Sequence, residues 1–343
     1  MINNSPYVRA QASVTRVMLK VLLALLPALA AYVWQFGIGI LVQLALAIST
    51  ALACEALMLK VRGKPLELFL GDLSAVVTAS LIAMAFPSIA PWWVVVVGTA
   101  MAIIVAKHLY GGLGQNPFNP AMVAYAIMIV AFPSLMTQWP SLHLDTASQL
   151  HAIFGNSDAA ARALDAITSA TPLDALRTGL RAAGSSVESL RQGPAFGWLG
   201  GQGMEWVAGA YLAGGLWLIQ QRIITWHIPV AFLGALAVVS GGFWLADSAH
   251  YASPLLHLMA GGSMLGAFFI LTDPVSACTT PRGKLIFAAG AALIVFLIRA
   301  FGAYPDGVAF ATLLLNICVP LIDMKTQPPV FGHKLGTPPE KRH

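Results

Sequence analysis

The sequence predicts an all-α protein that crosses a membrane about ten times and keeps one long loop outside it. Of its 343 residues, 58% are hydrophobic and 10% are charged, and the mean hydropathy is +0.76. A water-soluble domain carries about 25% charged residues, so this chain cannot cover a water-facing surface. Its apolar residues form continuous blocks rather than an alternating pattern, which excludes a β-barrel. The modest net charge of +5 indicates membrane orientation rather than nucleic-acid binding.

Ten apolar blocks approach the length of about 20 residues that a helix needs to span a bilayer. Proline and glycine mark the breaks between them. Several blocks are joined so closely that nine spans is an open alternative. The blocks cover residues 19–36, 38–59, 73–90, 92–109, 120–138, 206–221, 224–246, 254–272, 285–301 and 307–323.

The two halves of the chain share the positions at which proline interrupts the apolar blocks. Phe86-Pro87 aligns with Asp273-Pro274 at a shift of about 187 residues, and Asn116-Pro117 aligns with Tyr304-Pro305 at a shift of 188. With five spans in each half, the two copies would face opposite ways, which is the inverted repeat of many transporters. Chance similarity between loops rich in glycine and proline is the alternative interpretation.

The positive charges predict the orientation. If the N-terminus is cytoplasmic, 14 of the 19 Lys and Arg residues lie on the cytoplasmic face, and the short loops of the other face carry only Arg299. This is the expected bias of an inner-membrane protein. The predicted organisation is a transmembrane half (1–138), a periplasmic loop (139–205), a second transmembrane half (206–323) and a cytoplasmic tail (324–343). Both termini are then cytoplasmic.

The most specific motif lies in this loop. Residues 165–171 read Asp-Ala-Ile-Thr-Ser-Ala-Thr. They resemble the flavinylation sequence Asp-Gly-x-Ser/Thr-Gly-Ala-Thr, to whose last threonine an extracytoplasmic flavin transferase attaches FMN from FAD through a phosphoester bond. The sequence departs from that pattern at Ala166, where the motif has glycine, and at Thr168-Ser169, where it has serine and glycine. An ordinary capped turn is the alternative interpretation.

The residues around Thr171 suit such an attachment. The small Ser169 and Ala170 leave room for a bulky donor to approach an exposed hydroxyl. Pro172 is expected to open a helix that continues through Leu180. The N-terminus of that helix would stabilise the new phosphate.

Four further segments resemble the D subunit of the Rnf electron-transport complex, with their order and spacing kept. The sister family is the B subunit of the sodium-translocating NADH:quinone reductase, and the shorter N-terminal region here favours the Rnf member. The resemblance extends from about residue 16 to residue 333. The segments are 111–122 (GGLGQNPFNPAM), 266–276 (GAFFILTDPVS), 304–310 (YPDGVAF) and 319–323 (VPLID).

The resemblance implies a function. The complex passes electrons between ferredoxin and NAD and couples this to ion movement across the inner membrane. By likeness, Thr171 would carry covalent FMN, with Asp165, Thr168, Ser169 and Ala170 as supporting motif residues. A second, non-covalent flavin (riboflavin) would lie within the helices. The implied partners are the other Rnf subunits, including a second flavinylated subunit, and the flavin transferase.

Several residues inside or beside the apolar blocks are candidates for a flavin or ion path. Asn116 and Asn119 lie in the glycine-rich break, and Glu55 and Asp273 are acids within the membrane region, where such residues are functional by default. Close helix packing and hydrated helix ends are the alternative explanations. His108 is expected to lie at the interface. No histidine pair has the spacing of a metal site, so no metal is predicted.

Two other classes of function fit parts of the pattern. Inverted repeats with proline breaks also serve small-solute transporters and channels, and a purely structural membrane anchor for other subunits would need no cofactor. Covalent flavin separates these classes from the electron-relay interpretation, because neither a channel nor an anchor has a use for it.

Overall fold

The computed structural model describes residues 13–155, 168–181 and 185–328. Two π-helical segments, Met101–His108 and Gly266–Ile270, directly continue the helices that end at Ala100 and Leu265. The strands β1 (Trp139–Pro140) and β2 (Thr168–Ser169) pair antiparallel, with Trp139 opposite Ser169. The helices are α1 (Val14–Phe36), α2 (Gly39–Val61), α3 (Leu66–Leu70), α4 (Ser74–Ala85), α5 (Trp92–Ala100), α6 (Pro120–Ala131), α7 (Pro133–Met136), α8 (Thr146–Phe154), α9 (Pro172–Gly179), α10 (Val187–Arg191), α11 (Met204–Gln220), α12 (His227–Ala246), α13 (Pro254–Met259), α14 (Ser263–Leu265), α15 (Pro281–Phe301) and α16 (Val308–Thr326).

Among the described residues, five helices are long and apolar enough to cross a membrane, namely α1, α2, α12, α15 and α16. Shorter apolar helices are α4, α6 and α5 with its π-helical continuation. The prediction of a polytopic α-helical membrane protein is confirmed. Two predicted blocks are divided: the helix of 120–138 ends at Ala131 before Pro133, and 254–272 is interrupted after Met259, where Ala260 is extended and Gly261 has a φ of +64°.

Three of the described helices, α6, α9 and α15, start with a polar capping residue directly before proline. Asn119 accepts from the N–H groups of Ala121 and Met122 at the start of α6. Thr280 accepts from Gly283 at the start of α15, and Thr171 caps α9 in the same way. The polar side chain satisfies one of the free N–H groups of the first turn, and proline fills the position that needs no N–H.

The helices pack as two groups that meet at the centre. In the first half α2 lies against α4 and α5, and in the second half α12 lies against α15. Contacts between α1 and α11, and between α6 and α16, join the halves. The aromatic side chains Phe232, Phe287 and Phe296 are fully buried in the second half of this core.

The break between α4 and α5 is held inside the protein. Phe86 and Ala90 are buried there, and the Gln43 side chain, which has no exposed surface, donates to the Ala90 carbonyl at 2.5 Å. Irregular backbone is tolerated at membrane depth only where protein groups satisfy it. Gln43 of α2 therefore stabilises the interruption.

The loop helix α8 is attached to the membrane helices through Gln149. Its Oε1 accepts from the Gly39 N–H at 2.6 Å, and its Nε2 donates to the Leu144 carbonyl at 2.6 Å. The side chain is fully buried at the turn between α1 and α2. Outside the spans, the hydrogen bond from the Ser148 N–H lowers the pKa of the Asp145 carboxyl, which caps α8.

Replacing Gln149 with leucine should destabilise the protein. The change keeps a side chain of similar size but leaves the Gly39 N–H buried without an acceptor, which costs about 1–3 kcal/mol. Chemical unfolding of the purified protein in mild detergent measures this loss. The control is Thr146→Ala on the exposed side of the same helix, which should leave the free energy of unfolding nearly unchanged. Equal effects of the two changes would show that Gln149 is not the attachment.

Candidate functional site

Thr171 lies at a helix start and beside a cavity. It is half-buried, and its Oγ1 accepts from the Asp174 N–H at 3.2 Å at the start of α9. The predicted helix opening at Pro172 is confirmed, since α9 runs from Pro172 to Gly179. The hydroxyl thus stands where the N–H groups and the helix dipole favour a negative group.

The neighbouring motif residues take two different environments. Thr168 and Ser169 form β2, and Ser169 Oγ donates to the Pro140 carbonyl at 3.4 Å. Ser169 and Ala170 are exposed, so the approach to Thr171 is open on that side. Asp165, the first residue of the motif, lies outside the described residues.

The cavity beside Thr171 is called here the loop-side cavity. It is enclosed by the ends of α1, α4 and α11 nearest the loop, by the first half of α6, and by the starts of α9 and α16. It contains about 1090 Å³ of empty space when its open mouth is included. Its walls include Tyr32, Tyr125, Trp139, Thr171, Tyr211 and Asp306.

The walls of the loop-side cavity fit a large, mostly apolar ring with a few polar edges. Most wall residues are apolar or aromatic, which is the usual character of a cofactor site. The Tyr32 hydroxyl is buried and has no hydrogen-bond partner among the described residues. Such a group costs free energy unless a ligand, a water molecule or a small shift toward the neighbouring Ser88 completes it.

The ion pair between Arg299 and Asp306 lies at the wall of the loop-side cavity. Arg299 Nε and Nη2 donate to Asp306 Oδ1 at 3.1 and 3.0 Å, Nη1 donates to the His257 carbonyl at 2.7 Å, and Nη2 donates to Ser263 Oγ at 2.9 Å. Gly262 donates its N–H to Asp306 Oδ2 at 2.6 Å. Arg299 therefore connects the end of α13, the start of α14 and the start of α16.

The same ion pair lies next to the helix that begins after Thr171. A Cβ at Gly261 would be 2.5 Å from Asp306 Oδ2 and 2.7 Å from Leu173 Cδ1, so no side chain fits there. Arg177 of α9 pairs with Asp174 at 2.8 Å and also donates to the Ala303 carbonyl. The Thr171 segment is thus held against the membrane helices.

A second cavity occupies the other ends of α1, α4 and α11 and is called here the opposite-side cavity. It holds about 890 Å³ of empty space including its mouth. Three of the candidate path residues, Asn116, Asn119 and Asp273, line it together with Lys107 and Ser74. Residues more than 150 positions apart in the chain are therefore brought together here.

Asn119 organises one wall of the opposite-side cavity. Its Nδ2 donates to the Ile270 carbonyl at 3.3 Å, and its backbone N–H donates to Asn316 Oδ1 at 3.1 Å. Asn316 in turn donates to the Ser276 carbonyl at 2.9 Å. This amide network joins α6, α16 and the end of the π-helical segment.

Asn116 and Asp273 have more local partners. Asn116 Nδ2 donates to the Phe118 carbonyl at 2.9 Å. Asp273 accepts from the Val275 N–H at 3.2 Å and from Ser276 Oγ at 2.8 Å. Within the described residues Asp273 has no cationic partner, although it borders the same cavity as Lys107.

Glu55 does not line either cavity, because it is engaged in a buried ion pair. Lys107 Nζ lies 2.8 Å from Glu55 Oε2 and 2.9 Å from Ser74 Oγ. His108 Nε2 lies 3.2 Å from Glu55 Oε1. Glu55, Lys107 and His108 are only 3%, 2% and 4% exposed. The expectation of an interfacial His108 is wrong: the π-helical turn directs it inward to the carboxylate.

Four charged or titratable residues contribute to these sites in ways that the sequence did not predict. Lys107, His108, Arg299 and Asp306 are charged or ionisable residues in or beside apolar segments, and that position was the available signal. Lys107 and Arg299 were counted as orientation charges at helix ends. Their burial follows from partners that lie 52 and 7 positions away in the chain.

Replacing Asp306 with asparagine should strongly lower the free energy of unfolding of the protein. Arg299 keeps its carbonyl and hydroxyl partners but loses its counter-charge, and breaking a buried pair costs about 3–5 kcal/mol. The matched control is Asp174→Asn, whose partner Arg177 is partly exposed, and such pairs contribute about 0–1 kcal/mol. Chemical unfolding in detergent compares the two variants. Similar losses would show that the Arg299 pair is no more important than a surface pair.

The comparisons with known proteins agree with these features. The family model described as the NQR2, RnfD, RnfE family matches residues 1–332. A protein of Escherichia fergusonii, named as the D subunit of an ion-translocating oxidoreductase complex, is 50% identical over 349 aligned positions, which cover 98% of this chain and 99% of that protein. Proteins of the same name from Salmonella paratyphi A and Shigella dysenteriae serotype 1 are 51% and 50% identical with the same coverage.

These matches extend over nearly the whole chain, as the motifs in both halves require. The predicted resemblance to the D subunit of the Rnf complex is confirmed. The chain belongs to the NQR2, RnfD, RnfE family.

Proposed function

We propose that this chain is the membrane flavoprotein subunit of an ion-translocating ferredoxin:NAD oxidoreductase, and that it relays electrons through FMN bound covalently to Thr171. The names of its relatives support membership in an ion-translocating oxidoreductase complex. The observation that carries the flavin proposal is the position of Thr171, whose hydroxyl stands at a helix start and at the wall of a large aromatic cavity.

The attachment proposed for Thr171 is a phosphoryl transfer. Its Oγ1 forms a bond to the phosphorus of the FMN part of FAD, the bond to the AMP part breaks, and the hydroxyl proton passes to a base of the flavin transferase. The exposed Ser169 and Ala170 leave the approach open. The start of α9 offers N–H groups to the phosphate. Asp165 and Thr168 are proposed to be read by the transferase.

The residues of the loop-side cavity would hold and orient the ring. Tyr32 offers an unpartnered hydroxyl, and Tyr125 and Tyr211 offer apolar faces beside it. Bound flavin would supply the reversible uptake of one or two electrons. The protein would position it, limit its contact with water and set the charge around it.

A second, non-covalent flavin is proposed for the opposite-side cavity. Its wall combines apolar side chains with Asn116, Asn119, Lys107 and Asp273, which offer amide, ammonium and carboxylate groups at one surface. A riboflavin ring has both apolar faces and polar edges, so this combination suits it. The Asn119 network would fix the wall that the ring contacts.

Electron transfer between the occupants of the two cavities is proposed, because the two cavities are lined by neighbouring residues. Their walls come together along three elements, where adjacent or nearly adjacent residues face opposite cavities. In α6 and in the second π-helical segment the facing residues are direct neighbours in the chain. These pairs are Leu81 and Met84, Ala121 and Met122, and Phe269 and Ile270.

An inverted repeat of five spans in each half is proposed on the basis of two matching buried pairs. In the first half Lys107 donates to Ser74, the first residue of α4, and in the second half Arg299 donates to Ser263, the first residue of α14. Each serine follows a break between two short helices, and each cation lies on the next long helix. The Lys107–Ser74 pair lies at the opposite-side cavity, and the Arg299–Ser263 pair lies near the loop-side cavity. Matching pairs on opposite sides are what an inverted repeat requires.

The proposed location is the inner membrane, with both termini cytoplasmic and residues 139–205 periplasmic. The distribution of Lys and Arg supports this orientation. The proposed partners are the other subunits of the complex, including a second flavinylated subunit, together with the lipid bilayer.

Reporter fusions test this orientation. A reporter placed after Gly155 should give a periplasmic signal, and one placed after Gly63 should give a cytoplasmic signal, because the charge bias puts them on opposite faces. A fusion after Gln327, beyond α16, is the internal control and should match Gly63. Equal signals at Gly155 and Gly63 would contradict the topology and remove the access that the transferase needs.

Replacing Thr171 with alanine should abolish the covalent flavin while the protein still inserts and assembles. A substitution at such a loop position usually changes stability by about 0.5 kcal/mol or less, although here the N-cap bond to Asp174 is also lost and about 1 kcal/mol more is expected. The protein is co-expressed with the transferase for this test. The linkage is measured by in-gel flavin fluorescence of the denatured chain and by the mass of the peptide with residues 163–177. Electron flow through the complex should fall sharply.

Two matched variants complete this test. Ser169→Ala removes a nearby exposed hydroxyl, at a position where the resembled motif has glycine, and should keep the adduct. Thr171→Ser should retain part of it because a hydroxyl and a cap are still offered. An adduct on the Thr171→Ala peptide would move the site elsewhere. No adduct on the wild-type peptide, made with an active transferase, would overturn the covalent-flavin proposal.

A further inference from the structure

The buried cluster around Glu55 forms a continuous chain of polar contacts. Lys107 Nζ lies 2.8 and 2.9 Å from the two Glu55 oxygens, His108 Nε2 lies 3.2 Å from Glu55 Oε1, and Arg62 Nη1 lies 3.3 Å from His108 Nδ1. Lys107 also donates to Ser74 Oγ at 2.9 Å. The chain therefore connects α2, α4 and the π-helical end of α5.

The contacts fix which nitrogen of His108 carries the proton. Arg62 only donates, so Nδ1 of His108 accepts from it and the proton of a neutral ring lies on Nε2. That nitrogen faces the Glu55 carboxylate but makes no well-aligned hydrogen bond among the described residues. Lysine, glutamate and histidine all exchange protons, whereas arginine does not at ordinary pH.

The two ends of this row of polar contacts reach different environments. Arg62 is exposed, as are Gly63 and Lys64 in the turn that follows α2. At the other end Lys107 and Ser74 line the opposite-side cavity. The cluster thus links the water beyond α2 with a cavity inside the membrane domain.

The matching pair in the other half lacks this property. Arg299 donates to Asp306, to Ser263 and to two backbone carbonyls, and its guanidinium holds its proton. The neighbouring His257 has a buried Nδ1 without a partner among the described residues, so no chain of contacts continues from it. Two equivalent positions therefore hold one static cation and one titratable cation.

We propose that Lys107, Glu55 and His108 are a proton relay between the water next to Arg62 and the opposite-side cavity. This inference rests on the proposed second flavin, whose reduction by the electrons of the complex takes up protons. The Lys107 ammonium gives one proton to the occupant of the cavity and becomes an amine. Water beside Arg62 protonates His108 Nδ1, displacing the Arg62 hydrogen bond there, as the Nε2 proton passes through Glu55 to that amine, so the ring stays neutral at the end of the step. A rotation of the ring, which turns its remaining N–H toward Glu55, resets the relay.

Other charged groups near the relay do not replace it. Asp72 accepts from the Ser74 N–H at 2.7 Å and lies beyond the serine rather than between the ends of the relay. Asp273 borders the cavity and bonds to Ser276. Arg62 sets the His108 tautomer but supplies no proton.

Two conservative variants of the intact complex test the relay. His108→Gln keeps hydrogen-bonding groups toward Arg62 and Glu55 but cannot titrate, and Lys107→Arg keeps the charge and the bonds to Glu55 and Ser74 but does not release a proton. Both should lower ferredoxin:NAD turnover about a hundredfold, the lower range for losing one acid–base group. Both should also change the pH profile and the rate difference between H₂O and D₂O. The control Lys60→Arg, at an exposed position of the helix that carries Glu55, should change neither.

A second measurement does not depend on turnover. An infrared pH titration of the complex after removal of its non-covalent flavin should show a carboxyl band that Glu55→Gln removes and whose midpoint His108→Gln shifts. Covalent FMN fluorescence and extractable flavin should stay at wild-type levels in the His108→Gln and Lys107→Arg complexes, which shows that they assemble.

Two results would overturn the relay. Assembled His108→Gln and Lys107→Arg complexes with wild-type turnover and solvent isotope effect would make the cluster structural, as would a Glu55 band that does not respond to His108→Gln. A wild-type complex that releases no flavin on denaturation would overturn both the proposal of a second flavin and the proposal of the relay that supplies it with protons. The flavin count separates that failure from a failure of the relay alone.

Discussion

Backbone N–H and C=O groups inside a bilayer must find partners within the protein, because lipid offers none. This constraint governs the structure at each place where a helix stops at membrane depth. Gln43 satisfies the Ala90 carbonyl after α4, Asn119 satisfies the Ile270 carbonyl after the second π-helical segment, and Arg299 satisfies carbonyls at the end of α13. Each of these side chains is buried and comes from a different helix. The packing of the helices therefore stabilises these breaks, because it supplies hydrogen-bond partners for the backbone groups that the breaks leave free.

The broken helices are what create the two cavities. A continuous helix along α13 and α14 would carry side chains through the space beside Gly261 and Gly262, and both glycines line the loop-side cavity. Asn116 and Asn119 line the opposite-side cavity for the same reason, since the chain turns there before α6 begins. Sites formed at helix ends also receive the helix dipoles, which favour charged groups of a ligand. The helix breaks thus explain both the buried polar side chains that bond to free backbone groups and the shape of the candidate sites.

The sequence predicted the helices and the helix start after Thr171 well because their signals are local. Apolar block length, the polar residue before proline, and the motif ending at Thr171 all lie within a few residues. The partners of Glu55 could not be predicted in this way. Lys107 reads as an orientation charge at the end of an apolar block, and only the packing of α2 against the π-helical turn brings the two together. The same holds for the shared wall of Asn119 and Asn316, whose positions are 197 residues apart.

Charge balance connects the two cavities with ion movement in the proposed function. The buried pairs Glu55–Lys107 and Arg299–Asp306 leave little net charge in the interior. An electron that enters such an interior adds a charge that a low-dielectric medium holds only at high cost. A cation must therefore follow it, either as a proton along the Lys107 relay or as an ion near Asp273, which has no cationic partner within the described residues. Because the same paired charges keep the resting interior close to neutral, the arrival of an electron is the event that makes cation entry favourable. In the proposed function, electron transfer and ion transport would then be coupled by electrostatics.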